Sequence, residues 1–428
     1  MEYIARAKWW VVSADRVIED GAVLVRRGQV ARVFRSHNAA ARTARCCRWV
    51  DFGDAIVAPG LVNAHAHLEL SGLASQTPRG GDFARWVRAV IEARASRTFE
   101  RLVRDVCAGA ARALESGTTT IVDVDSTGAA PVALRSSPLR VVHMREALDA
   151  QDPQRTAPAL ARLRQALPKT QRSAEGLSPH APFSVSPALF AALGALAKRR
   201  DLPVQMHWSE TQAEIDWLLE GRGPLAALLG SSPRRSGLEL LERAGLFERN
   251  LSLVHGNFPR RGEPQSLARR GVTLVHCPGS HAWFERAPFP FARYAAAGVR
   301  VALGTDSLAS NEDLDMRREL RLAASAHARW GARELWRAAT EHGAAAIGRA
   351  GRIGVLERGA CADWIVLPER VRGERAVLDA LCASTRAIEQ TWIAGRRVLA
   401  GAGLENGPRT SLGGSGPSRG RARWRAAR

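Results

Sequence analysis

Two textures of hydrophobic patterning divide the chain. Over residues 8–36 short apolar runs alternate with turn residues: Trp9-Trp10-Val11-Val12, Ala22-Val23-Leu24-Val25 ahead of Arg27-Gly28, and Val30-Ala31-Arg32-Val33-Phe34. Such runs, bounded by turn signals, predict short antiparallel strands and hairpins. Residues 39–57 read the same way and deliver the chain to Pro59, and the texture returns at 353–356, 362–367 and 391–399. The two ends are therefore expected to build one small β-sandwich together, 1–57 with 351–405.

The middle, 58–350, alternates differently. Strand-like apolar runs lie at 61–67, 118–124, 139–145, 176–180, 202–207, 251–255, 272–277 and 299–306, with helical patterns between them. Leu102, Val103, Val106, Ala110, Ala113 and Leu114 recur at helical spacing, and Gly117 stands where a C-cap glycine belongs. Ile215, Leu218 and Leu219 form another such face, as do Leu320, Ala323 and Ala324. Strands alternating with helices over this length predict an α/β fold, a (β/α)8 TIM barrel. A doubly wound open sheet would more naturally show a Gly-rich phosphate loop after its first strand, and none is present.

Composition adds little to this picture except at one end. The content of 46% hydrophobic and 24% charged residues over 428 positions describes a soluble globular chain. No run approaches the length of a membrane span. The start, Met1-Glu2-Tyr3-Ile4, lacks the layout of a signal peptide. The six cysteines (46, 47, 107, 277, 361 and 382) form no Cys-x-x-Cys pair, which suits a reducing cytoplasm. A net charge of +20 invites nucleic acid. Yet all but Lys8, Lys169 and Lys198 of the 62 basic residues are arginines strewn through nearly every segment, so a compositional bias accounts for the charge. Only the tail, 406–428, concentrates it, and that segment reads as disordered.

Candidate chemistry gathers at the predicted strand ends, where barrel enzymes carry their sites. His65 and His67 end the first strand, His143 lies on the third, and His180 ends the fourth. His207, followed by Ser209-Glu210, ends the fifth, His255 the sixth, His276 lies on the seventh and Asp306 ends the eighth. Solvated surface histidines would have no reason to cluster on one rim. Imidazoles with a carboxylate suit zinc or ferrous iron, and the metal would lower a bound water's pKa from 15.7 to about 7. His65, His67, His207 and Asp306 are the expected ligands of one divalent ion. His255 lies close enough to orient the water or substrate, and Asp306 is both ligand and base.

Pro59-Gly-Leu-Val-Asn-Ala-His-Ala-His67, His207-Trp-Ser-Glu210, Val254-His-Gly256 and Leu303-Gly-Thr-Asp-Ser307, in this order and spacing, resemble the amidohydrolase superfamily. The resemblance runs from residue 8 to about 400 and includes the composite β-sandwich. Binuclear members bridge two metals with a carboxylated lysine, or a cysteine or glutamate, at the end of strand four. Here that end reads Ser178-Pro-His-Ala-Pro-Phe183, with no such residue, and Lys169 lies several residues too early. The chain therefore resembles the mononuclear deaminase branch, which acts on C–N bonds in cyclic amidines. Metal hydroxide attacks the ring carbon and ammonia leaves. In that branch Glu210 would carry protons to the ring nitrogen and the departing amine, an effect worth about 10²–10⁴ in rate. The alternative for Glu210 is to cap a helix beginning near Thr211, although glutamate is a poor N-cap.

His67-Leu-Glu-Leu-Ser71, Gly81-Asp-Phe-Ala-Arg-Trp86 and Ser178-Pro-His-Ala-Pro-Phe183 look most like aminodeoxyfutalosine deaminases, which act on an adenine-bearing menaquinone precursor. S-adenosylhomocysteine/methylthioadenosine deaminases share the plan. By that resemblance His180 would contact the nucleoside, and Glu69 with Phe83 and Trp86 would border the pocket; packing and ring-stacking are both open for the two aromatics. Arg145 is a candidate for a substrate carboxylate, and His281 is a better pocket candidate than His276 because it lies beyond the strand. Related sequences often have Arg where this chain has Gly279. The expected partner is a small molecule, in the cytoplasm, with no membrane or nucleic acid and a homodimer left open. Competing readings are a guanine or cytosine deaminase, a triazine chlorohydrolase or aminohydrolase, and a non-catalytic nucleic-acid-binding protein.

Overall fold

The computed structural model describes residues 2–398 apart from 44–46, 166, 168, 169, 171, 249 and 328. Cys46, Lys169 and the basic tail 406–428 thus lie outside the described residues. Eight strands form one parallel sheet in chain order: Leu61–Ala66, Thr118–Asp125, Arg140–Ala147, Ser173–Pro179, Val204–Trp208, Leu251–His255, Thr273–His276 and Arg300–Leu303. A parallel bridge between Ala66 and Asp306 returns the last strand to the first. The amides of Thr305 and Asp306 both donate to His65 O there, at 3.0 and 3.1 Å. Below that bridge Asn63 ties the same two strands, accepting from Thr305 N and donating to Thr305 Oγ1 at 2.7 Å. The sheet is the barrel of a (β/α)8 fold, closed at the rim where the histidines stand.

Both faces of these strands are buried, which is why their sequences run apolar without clear alternation. Ala64, Val254, Val275, Cys277 and Ala302 pack together inside the barrel, and Val122, Val124, Val142 and Met144 fill another part of it. Their chain neighbours, such as Val141, Met206 and Leu253, pack outward on the helices. The helix Phe99–Glu115 shows how that outer layer forms. Thr98 caps it by accepting from Arg101 N, and Leu102, Val103, Val106, Ala110, Ala113 and Leu114 all face inward. Gly117 follows at φ +94°, a conformation open to glycine without strain.

The remaining strands build two sheets from both termini. One joins Glu2–Arg6, Ala22–Arg26, Gln29–Phe34 and Arg48–Asp51. The other is six-stranded, and its centre pairs Ile56–Pro59 antiparallel with Trp364–Leu367, joining the two chain ends. Trp10, Phe52, Trp364 and Trp392 interlock between the sheets, with Trp10 edge-on to Trp364 at 5.8 Å. Three local expectations change. Residues 353–356 form no strand, with Leu356 N bonding only to Val12 O. Within 39–57 a helix, His37–Thr43, precedes the strands Arg48–Asp51 and Ile56–Pro59. The described part of the run at 391–399 is a hairpin, Gln390–Ile393 with Arg396–Val398, because Ala394 and Gly395 both take positive φ. Among the described residues no helix is long and apolar enough to cross a membrane.

Candidate metal centre and active site

His65, His67 and His207 meet at the closing seam, with ligand nitrogens within 4.8 Å of one another. The neighbouring hydrogen bonds set the tautomers of His65 and His207. His65 Nδ1 lies 2.7 Å from Gln205 Oε1, whose amide nitrogen is already committed to Ala64 O and Ser252 Oγ. His207 Nδ1 lies 2.8 Å from His180 O. Each Nδ1 must therefore donate, which leaves a lone pair on each Nε2. His65 Nε2 is buried and has no partner. His67 Nε2 and His207 Nε2 face each other at 3.2 Å, a separation that two bonds of about 2.0–2.1 Å to one ion can bridge. Burial, with His65 and His207 beside it, holds His67 well below the ordinary histidine pKa, so its ring stays neutral, the form that ligates. Asp306 completes the group. Its Oδ2 accepts from Ser280 Oγ at 2.7 Å and Ser310 Oγ at 3.0 Å, while Oδ1 faces His65 and His67 at 3.7 and 3.9 Å. Buried lone pairs with no protein donor, converging beside a carboxylate, fit a transition-metal ion.

Glu210 is buried next to this group and is not a helix cap. Thr211 caps the helix Gln212–Glu220 by accepting from Glu214 N, and Glu214 in turn takes the amides of Ser209 and Glu210. Freed of that task, Glu210 places Oε1 3.7 Å from His255 Nε2 and 2.8 Å from Arg286 Nη2. His255 follows Val254, which faces the barrel interior, so plain alternation would turn it outward. Its φ of +75° redirects it to the site, and Ser209 (+53°) and Asp306 (+59°) are also left-handed. Three such non-glycine residues at strand ends, each costing about 1–3 kcal/mol, mark a rim whose geometry is imposed by its surroundings.

The rim between the second and fourth strands is acidic. Glu69 accepts from Ser126 Oγ and Thr127 Oγ1, both at 2.7 Å, and pairs with Arg94 at 3.2 Å. His180 Nδ1 bonds Ser184 Oγ at 2.6 Å, and its ring stands 5.0 Å from that of His207. Burial lowers the His180 pKa to about 3. Sequence reasoning missed Glu146, which groups with His180 and His207, has an unpartnered buried Oε1 and is pushed up to about 8 by burial. The alternation of the third strand is the signal that finds it: Met144 and Glu146 face the interior. Phe83 stacks on Trp86 at 5.5 Å, both lie against Phe284, and Trp86 Nε1 donates to Ala309 O. The two aromatics pack on protein rings.

Arg145 is not brought to the site. It shares the outward register of Val141 and His143, and its guanidinium bonds Leu163 O, Gln165 O, Arg162 O and Glu175. It caps the C-terminal end of the helix Pro153–Arg164 rather than awaiting a carboxylate. Arg145→Ala should lower the thermal midpoint by several degrees and leave KM within about twofold, as thermal melts and steady-state kinetics would show. His276 likewise faces outward, stacked 3.9 Å from Phe289. His281 Nε2 lies 2.8 Å from Ala287 O, to which it donates, and Nδ1 stands 3.2 Å from Asn257 Oδ1, so both nitrogens face protein groups. Through Asn257, which donates to Glu210 O, it supports the site from behind.

A (β/α)8 barrel with histidines and an aspartate gathered at its rim defines a metal-dependent hydrolase scaffold. Residues 56–398 match the amidohydrolase family, and the chain belongs to that family. A 5-methylthioadenosine/S-adenosylhomocysteine deaminase of Thermococcus onnurineus is 31% identical over 369 residues, covering 81% of this chain and 80% of the relative. An aminodeoxyfutalosine deaminase of Deinococcus radiodurans is 29% identical over 333 residues, covering 71% and 76%. Among solved structures, Helicobacter pylori aminofutalosine deaminase in complex with methylthio-coformycin aligns with a TM-score of 0.83 at 23% identity, covering 93% of this chain and all of that one. A Xanthomonas campestris adenosine deaminase with bound zinc gives 0.76 at 26%, covering 92% of each.

Proposed function

We propose that the protein is a metal-dependent deaminase that hydrolyses the 6-amino group of an adenine nucleoside, with His65, His67, His207 and Asp306 holding one zinc ion. The observation that carries this reading is Glu210, a buried carboxylate relieved of helix capping and set against His255 beside the histidine group. When bound, the ion supplies a water of lowered pKa. Asp306, its Oδ2 fixed by two serines, has Oδ1 available to accept that water's proton. Glu210 then serves the substrate. Adding water across C6 takes one proton from Glu210 to ring nitrogen N1. Glu210 then takes up the proton of the new C6 hydroxyl and passes it to the amino group, which leaves as ammonia. The proton held on Asp306 returns to Glu210 through solvent to close the cycle. His255 steers the incoming oxygen, and His180 and Glu69 hold the nucleoside.

The substrates named for the two sequence relatives, and adenosine itself, share a 6-aminopurine riboside and differ beyond the ribose, which supports this substrate class. Aminodeoxyfutalosine would place the enzyme on a route to menaquinone. The test is a panel: zinc-loaded protein with adenosine, 5′-methylthioadenosine, S-adenosylhomocysteine, aminodeoxyfutalosine, guanine, cytosine and a chlorotriazine. Ammonia release with the ultraviolet shift from adenine to hypoxanthine on at least one of the first four is expected. Turnover of none of those four sinks the reading, and turnover of guanine, cytosine or the triazine alone replaces it.

A further inference from the structure

Arg286 is held in the site by a geometry that needs explaining. It follows the helix Pro278–Trp283, lies 4.4 Å over the Phe284 ring, and sends Nη2 to Glu210 Oε1 at 2.8 Å. Its side chain is 9% exposed and that of Glu210 10%. Taking two charges out of water is costly, so a buried pair is not explained by stability alone. Two other buried arginines differ in kind. Arg97 and Arg145 each spread several hydrogen bonds over carbonyl and carboxylate acceptors, although Arg97 Nε is likewise buried without a partner. Arg286 makes its bond to Glu210, and its Nη1 is buried with no partner. A donor left unfilled in a dry place is expensive to the fold. The helix before it offers no second donor at Gly279. A Cβ on Gly279 would overlap the Asn311 amide, which is itself fixed by Thr305 O at 2.7 Å and Glu319 at 2.8 Å.

We infer that Arg286 is the positioning residue of Glu210. Its bond to Oε1 fixes the rotamer of the carboxylate and directs Oε2 to the substrate, while Nη1 waits for an acceptor on the bound purine. Fixing one oxygen matters because a single carboxyl must reach first a ring nitrogen and then the neighbouring amino group, and small errors of placement are costly in rate. The inference rests on the deaminase reading but makes its own claim about which residue holds the proton carrier.

Five zinc-loaded full-length proteins test it: the parent, Arg286→Ala, Arg286→Lys, Glu210→Gln and the Arg286→Ala/Glu210→Gln double variant. On the adenine nucleoside turned over fastest by the parent, Arg286→Ala should lose about 10- to 100-fold in kcat with bound zinc unchanged and KM within about fivefold. Added guanidinium should restore part of that rate to Arg286→Ala and none to the double variant. Arg286→Lys should fall between parent and alanine variant, since lysine keeps the charge without the planar fork. A kcat for Arg286→Ala within about twofold of the parent overturns the inference, as does a double variant whose loss is the product of the single losses. Thermal unfolding of a second cycle, with Glu210→Ala in place of Glu210→Gln so that the bond is removed, reads the pair without activity: the shifts should be non-additive, and additive shifts also overturn it. If the parent deaminates no adenine nucleoside, the functional reading fails, and the unfolding cycle still decides whether Arg286 and Glu210 are coupled.

Discussion

His65→Ala should purify with less than about one-tenth of the parent's metal and no measurable deamination. Three features of the site lead there. His65 Nε2 is a buried nitrogen with no hydrogen-bond partner, so removing the ring takes away a lone pair that no protein group satisfies. The ring is completely buried, and its loss also leaves a hole under the seam that joins the first and last strands. Its Nδ1 proton is fixed by Gln205, which itself sits in a closed network with Ala64 O and Ser252 Oγ. Partners of that kind typically govern 10–100-fold in metal affinity, so Gln205→Leu should weaken zinc binding while leaving the ligands in place. Metal analysis by mass spectrometry of parent and variant decides the matter. His143→Ala is the fitting control, because His143 is a buried imidazole that points outward, and it should keep its full complement of metal. Stoichiometric metal in His65→Ala would refute the assignment.

The second large effect is expected at Glu210. Glu210→Gln keeps the shape and the bond distance to Arg286 but cannot shuttle a proton, so kcat should fall by about 10²–10⁴ with zinc content unchanged. The amide still accepts from Arg286, which keeps the side chain in the pocket and isolates proton transfer from position. Single-turnover kinetics would confirm that the loss lies in chemistry rather than in nucleoside binding. A fall of less than about tenfold would move the proton-carrying role elsewhere, and Glu146, with its raised pKa and its place beside His180, is the first residue to test next.

Much of this arrangement was legible from residue order. Every barrel strand falls on an apolar run, and the groups at the ends of strands one, five, six and eight converge on one point. The third and seventh strands misled. His143, Arg145 and His276 look like their counterparts in the sequence, but a strand buried on both faces has no apolar–polar alternation to tell inside from outside. Only the packing separates Val141, on the helices, from Val142, in the barrel. Register then assigns Glu146 to the interior and Arg145 to the helix end. His255 escaped the opposite error because a left-handed residue reverses its direction, and the sequence before Gly256 carries no sign of that turn. Arg286 was hidden for another reason. In a chain with arginines in nearly every segment, one more arginine on a loop has no distinguishing mark until its guanidinium is seen against a carboxylate.

The seam at Ala66 and Asp306 has a consequence for how the protein comes to be active. Asn63 and Thr305, which stitch it, are 242 positions apart along the chain. Contacts of that separation are the slowest to form, because the intervening polymer must be ordered before its ends can meet. The proposed ligands borne by the first and eighth strands are therefore brought together only when the cylinder shuts. A nascent chain still lacking its eighth strand carries His65, His67 and His207 but not Asp306, so the proposed centre is complete only once that strand is in place. Competence arrives at one moment, with closure.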